Sequence, residues 1–299
     1  MNGVVKKLQP DLFHAQAIHG LTSFRDDVDL MSHPFSSIEK GRTEAMTLVE
    51  RTARAETRIK VTGADYGIAT VWDNDILIYL RTQVAIAMNR GETPSRRMRF
   101  NVYDLLRATK RGTGKTGYEA FKAALQRLKA TTIITNISAD GLTLDQGVNW
   151  INDYTFVSRT TANGRIVMSA CEIEVSEWTW QMMQQARRML AIDQAYFEIT
   201  GGLERKLYGI LRRHLGQQSI WHIGLERLQE LTGSSAPATK FRYNMRRIVN
   251  EQSIPGFVLE LTNDHRPPDV AKASPVSVSS RAGKEYLIVR PAPRALAPV

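Results

Sequence analysis

The run Lys110-Arg-Gly-Thr-Gly-Lys-Thr-Gly-Tyr-Glu-Ala-Phe-Lys-Ala-Ala-Leu-Gln-Arg-Leu-Lys-Ala130 joins a glycine-rich turn to an amphipathic helix. Tyr118, Phe121, Leu125 and Leu128 recur at helical spacing and predict a helix over 117–130 with those four side chains inward. Lys115, Thr116, Glu119, Lys122, Ala123 and Gln126 then face outward. Arg107, Lys110, Arg111, Lys115, Lys122, Arg127 and Lys129 crowd the segment against one acid, Glu119. Just upstream, 102–109 predicts a short helix with Leu105 and Leu106 inward. Short helix, turn and basic helix is the order of a helix-turn-helix, whose second helix meets base edges with its first turns and phosphates with its flanks. In that register Gln126 suits adenine and Lys122 suits guanine. A solvated basic face is the plain alternative. The short helix and turn before it favour nucleic acid.

Outward from this segment, the pattern completes a wing and then recurs. Residues 73–88 carry Ile76, Leu77, Leu80, Val84 and Met88 at helical spacing, with Asp73 as N-cap. Residues 96–100 alternate as a strand, and 58–61 with 66–70 read as a hairpin around Thr62-Gly-Ala-Asp65. Three β-rich segments follow at 131–137, 150–159 and 165–175, with Asn163-Gly164 as a hairpin turn between Arg159 and Arg165, two cations placed to touch DNA. The same order returns downstream. Ser176 caps a helix to 187, 196–199 reads as a short β piece, and a helix at 203–215 ends at Gly216. A strand at 219–223, a short helix at 225–232 and a turn then lead to a basic helix over 238–250. Phe241, Met245 and Ile248 form its inner stripe. Lys240, Arg242, Tyr243, Arg246, Arg247 and Asn250 are its polar or basic residues. Wing strands follow at 257–262 and 285–289. Thr109 precedes Tyr118 by the same spacing as Thr232 precedes Phe241. The expected class is α+β, two tandem winged-helix domains: an N-terminal arm or linker at 1–57, domains at 58–190 and 191–290, and a disordered tail at 291–299.

Composition agrees with an anionic partner. The chain of 299 residues has a formal net charge of +10. No apolar run approaches the roughly 18 residues that span a bilayer, and 1–10 lacks a signal-peptide core. Cys171 is the single cysteine, so no intramolecular disulfide forms, and a cytoplasmic location with no membrane partner is expected. Zinc in its usual four-ligand form is excluded, the histidines make no nickase-type metal triad, and no cofactor is expected. Asp73 and Asp75 are explained as an N-cap and a first-turn acid rather than a metal pair, and Trp150, Trp178, Trp180 and Trp221 as core.

Several segments resemble the plasmid replication initiator protein A family. They are 68–79, 99–106 and 117–128, together with Leu203-Glu-Arg-Lys-Leu-Tyr208, Leu231-Thr-Gly-Ser-Ser235 and the turn-rich patch Met31–Ser37. They occur in the family's order and span about 11–261. The resemblance implies tandem winged helices on direct repeats (iterons) in double-stranded plasmid origin DNA, opening of an A·T-rich segment, and recruitment of a host replicative helicase or initiator proteins. It also implies autoregulation and a homodimer that gives way to monomers. A winged-helix transcriptional regulator without a replication role shares the same DNA-binding features, and the residues alone leave that alternative open.

Gly112-Thr-Gly-Lys-Thr116 imitates a nucleotide-binding P-loop, but position 109 is Thr where the motif needs glycine, and the preceding segment reads as helix. The chain is therefore expected not to be an enzyme. Purified protein should show no DNA-stimulated ATP hydrolysis. Turnover abolished by Lys115→Ala, with DNA binding intact, would overturn that expectation.

Overall fold

The computed structural model describes residues 12–18, 21–51, 56–137, 146–160, 163–164, 166–263 and 285–293. The chain opens with β1 (Leu12–His14), β2 (Ser23–Asp27), the short helix α1 (Val28–Ser32), β3 (Met46–Arg51) and β4 (Glu56–Thr62). Next come α2 (Asn74–Asn89), β5 (Arg97–Phe100), α3 (Val102–Ala108), α4 (Lys115–Ala130), β6 (Thr132–Thr135), β7 (Gln146–Asn149), β8 (Ile151–Thr160) and β9 (Ile166–Val175). After α5 (Glu177–Gln184) and β10 (Met189–Asp193) follow α6 (Gly202–Leu215), β11 (Trp221–Gly224), α7 (Leu225–Thr232), α8 (Ala238–Glu251), β12 (Phe257–Thr262) and β13 (Tyr286–Pro291).

The winged-helix order occurs twice. β5, between the first two helices of its unit, pairs with β9, and β9 pairs with β8. β11 pairs in the same way with β13, and β13 with β12. The paired threonines occupy matching places at the ends of α3 and α7. Thr109 Oγ1 donates to Leu105 O at 2.8 Å and Thr232 Oγ1 to Gln229 O at 2.7 Å. Phe121, Leu125 and Leu128 of α4 are fully buried, as are Phe241, Met245 and Ile248 of α8. Trp150, Trp178 and Trp180 are core, as expected, and Trp221 packs half-buried against it.

Four expectations are corrected. The segment 1–57 is not an arm where it is described: β1 joins β5 in parallel, β2 pairs with β10, and β3 pairs with β4. The cause lies in period-2 burial, since Met46 and Leu48 are buried while Thr47 and Val49 are exposed. The hairpin expected around 62–65 does not form. β4 instead sits between β3 and β6 in a four-stranded sheet closed by β7. The piece at 196–199 is not β. Gln194–Glu198 is a 3-10 turn, with the Asp193 carboxylate accepting from Ala195 N at 2.8 Å. The expected tail overlaps the fold at Pro291, the last residue of β13, and 294–299 lie outside the described residues.

The two units meet along α6, where charged residues are buried. Arg205 Nη1 donates to Asp75 of α2 at 2.6 Å, with both side chains nearly inaccessible at 4% and 1% exposure. Arg111, in the turn before α4, donates to the other Asp75 oxygen at 2.9 Å. Burial pushes the Asp75 carboxyl up, and the two guanidiniums draw it back. Lys206 Nζ donates to the carbonyls of Leu30, Met31 and His33 at the end of α1. Gly202 is needed at this seam, because a Cβ there would lie 2.1 Å from Ile38 O and 2.8 Å from the Trp72 ring. A second seam joins Arg42 Nη1 to Gly233 O at 2.8 Å and Ser235 Oγ to Glu39 Oε1 at 2.8 Å.

Breaking the Asp75 cluster leaves Arg205 charged and buried. Asp75→Asn is expected to cost roughly 3–5 kcal/mol of unfolding free energy in urea titration. The double change Asp75→Leu with Arg205→Met should cost less than either single change. Equal stability of Asp75→Asn and the unaltered chain would show that the cluster holds nothing together.

Candidate nucleic-acid interface

Helix α4 is set by its turn. Gly117 lies so close to Gly112 that a Cβ would stand 1.7 Å from the Gly112 carbonyl oxygen, so the turn folds back over the first helical turn only with glycine there. Of the three glycines here, only Gly117 is required by space; a Cβ at Gly112 or Gly114 would meet nothing. Lys110, just before them, has φ +55°, a strained value for a residue with a side chain.

The outer face of α4 is the expected one. Lys115, Thr116, Glu119, Lys122 and Gln126 are exposed, and Ala123 is half-buried among them. Lys115 lies 3.9 Å from Glu119 on the same face. The wing runs beside this helix. Lys122 Nζ is 5.7 Å from the Phe156 ring centre, Lys129 Nζ is 5.7 Å from that of Tyr154, and Lys129 pairs with Asp153 at 2.9 Å. Two expected members of the basic surface are drawn inward instead. Arg127 makes a two-pronged pair with Asp73 at 2.7 and 2.8 Å, which holds the guanidinium protonated. Arg111 donates to Asp75 and to the Trp72 carbonyl. Asp73 occupies the N-cap position, but its side chain caps no helical N–H. It accepts from Thr70 N at 2.8 Å and serves Arg127. Lys110 reaches Glu198 at 3.7 Å. The side chain of Arg159, and Arg165 altogether, lie outside the described residues.

Helix α8 presents Lys240, Tyr243, Arg246, Arg247 and Asn250 to solvent, with Arg242 half-buried at the edge. Tyr243 is 60% exposed, and Lys240 Nζ stands 4.7 Å from its ring centre. The arginines are not free. Arg246 pairs with Glu285 at 2.7 Å and Arg242 lies 3.5 Å from the same carboxylate. Arg247 pairs with Glu204 at 2.5 Å and with Glu251 at 2.9 Å. Sequence reasoning missed these acids. Only Glu251, one helical turn from Arg247, carried a local signal.

Two winged-helix units, each with an outward polar and basic third helix, define a class: tandem winged-helix proteins with paired helical faces suited to an extended anion. Residues 25–259 match the family model described as replication initiator protein A, and the chain belongs to that family. A protein of Wigglesworthia glossinidia brevipalpis described as "Putative replication protein" is 28% identical over 239 residues, covering 79% of this chain and 84% of that one. Among solved structures, selenomethionine crystals of domains 2 and 3 of RctB match with a TM-score of 0.58 at 9% identity, over 88% of this chain and 96% of theirs. A second structure of RctB domains 2–3 matches with a TM-score of 0.52 at 11% identity, with the same coverage. At such identities the likeness is one of fold. No helix among the described residues is long and apolar enough to cross a membrane.

If α8 meets a nucleic acid, Glu285 competes with it for the Arg242 and Arg246 guanidiniums. Glu285→Gln is expected to tighten duplex binding roughly three- to tenfold, equivalent to about 1 kcal/mol. Arg246→Ala should weaken it. Fluorescence anisotropy at fixed salt measures both. Unchanged affinity in Glu285→Gln would remove α8 from the interface.

Proposed function

We propose that this chain is an origin-binding replication initiator that recognises directly repeated double-stranded DNA sites (iterons) through α4 and α8. It acts by binding and deforming DNA, without covalent chemistry of its own. Bound to the repeats, it promotes opening of the origin and engages a host replicative helicase or initiator protein, and a homodimer is its off-site form. The units centred on 58–190 and 191–290 are its two reading domains. The observation that carries the proposal is the repeated geometry: in each unit a buried apolar stripe turns a polar, cation-bearing face of the third helix outward, beside a wing. Membership of an initiator family supports the replication role over a plain transcriptional regulator.

The test is a footprint of the full chain on a duplex selected from random sequence. Successive major-groove faces on one side of B-DNA lie about 34–36 Å apart, roughly ten base pairs. Hydroxyl-radical cleavage should show two protected patches at that spacing. Lys122→Ala should weaken one patch and Arg246→Ala the other, each by about 1–3 kcal/mol if the residue reads a base. One patch, unaffected by Arg246→Ala, would overturn two-helix reading. Failure to select any duplex would overturn DNA recognition itself.

A further inference from the structure

Between the two units lies a cleft of about 570 Å³. One wall is α4, where Ala120 and Ala123 present small side chains. The other is the segment Phe197, Ile199 and Thr200 with Arg205 of α6. Trp72 and Lys40 line it from the N-terminal region. The Trp72 ring is fixed by the bare backbone of Gly202, where any Cβ would strike it, and Lys40 Nζ stands 4.8 Å from the ring centre.

The charge of this cleft is uneven. Lys40, Lys110, Arg111, Arg127 and Arg205 line it against the carboxylates of Asp73 and Asp75. The three arginines are bound to those two carboxylates and cannot reach out without breaking buried pairs. The lysines differ. Lys40 is exposed, and Lys110 projects from a backbone in the left-handed region, its one ion pair among the described residues a 3.7 Å contact with the exposed Glu198. Strain of that kind in a residue with a side chain persists where the surroundings fix it, and it collects at functional sites.

The position of the cleft matters more than its charge. α4 forms its near wall. Beyond its far wall, Glu204, the neighbour of Arg205, holds Arg247 of α8. The cleft therefore lies between the two candidate reading helices. A duplex spanning both helices would run from one side of this cleft to the other. We propose that the cleft is a groove for the sugar–phosphate backbone of duplex DNA, with Lys40 and Lys110 holding the phosphates between the two reading helices. The small side chains of Ala120 and Ala123 allow the strand to approach, and Trp72 sets the depth at which Lys40 stands. This inference rests on the reading of α4 and α8 as DNA-facing helices.

The experiment is phosphate-ethylation interference with the full chain on a selected duplex of about 30 base pairs, roughly three helical turns. Ethylated phosphates midway between the two protected patches should block binding. In Lys40→Ala/Lys110→Ala that central interference should disappear while both patches persist. The log–log salt dependence of binding should flatten by about one unit for each lysine. Two patches with no central interference, or central interference and a salt slope unchanged in the double variant, would overturn the groove and leave two-helix reading intact. Loss of the patches themselves to Lys122→Ala or Arg246→Ala tests that reading separately. Saturable ATP binding that Lys110→Ala abolishes, with central phosphates indifferent, would assign the cleft to a nucleotide instead.

Discussion

The Asp75 carboxylate sits where three parts of the chain must agree. It lies in the first turn of α2 and receives Arg111 from the turn before α4 on one oxygen and Arg205 from α6 on the other. An isolated carboxylate in that position would be expelled or protonated, because burial disfavours its charge. Two guanidiniums make the charge tolerable, and only in one relative placement of the units. The cost of such a cluster is large, and an apolar junction of the same volume would be as stable or more so. What the cluster supplies is geometry. The turn that launches α4 and the helix beside α8 are referred to the same pair of oxygen atoms. Lys206 reinforces the placement by gathering three carbonyls at the end of α1, and Gly202 by letting α6 lie on Trp72.

That anchoring redistributes the positive charge that the composition reports. Arg111, Arg127 and Arg205 are spent inside the protein, two of them from a segment whose basic crowding pointed to DNA. Crowding in sequence is blind to direction. Arg127 sits two residues after Leu125 on α4, at the flank where the helix meets α2, and Asp73 waits there. The cations left facing out from α4 are lysines: Lys115 and Lys122 with weak partners, and Lys129 paired with Asp153 at 2.9 Å.

The sequence was most legible where local periodicity and tertiary burial coincide. The inner stripes of α4 and α8, the twin threonines and the order of helices and wings all follow from spacing, and the structure carries them. The extra sheet was missed in part because it joins both sides of α2: β4 pairs locally with β3, but its other partner, β6, follows α4, and no short-range signal announces that pairing. The junction was missed for the same reason. Asp73 and Asp75 look like a cap and a first-turn acid, whereas their partners lie 54, 36 and 130 residues away. A buried pair of that separation leaves no mark in a window of any useful length.

The two candidate reading helices are charged in different ways, and the difference bears on what each contributes. Lys115 and Lys122 on α4 have only weak partners, so on the proposed reading they would meet a phosphate at little loss, whereas Lys129 is held by Asp153. Arginines on α8 are already satisfied by Glu285, Glu204 and Glu251. To meet DNA they must exchange a carboxylate for a new acceptor. A randomly placed phosphate offers little gain over the carboxylate it displaces. A guanine edge in the right register offers two aligned acceptors to a planar fork and leaves the glutamate to water. If α8 reads DNA as proposed, pre-paired arginines would lower affinity for arbitrary sequence more than for a matched site, which is specificity obtained by penalising the wrong partner. On the proposed reading, with α6 fixed to α2 through Asp75, the lightly held lysines of α4 would add attraction to any phosphate while the guarded arginines of α8 would discriminate among registers.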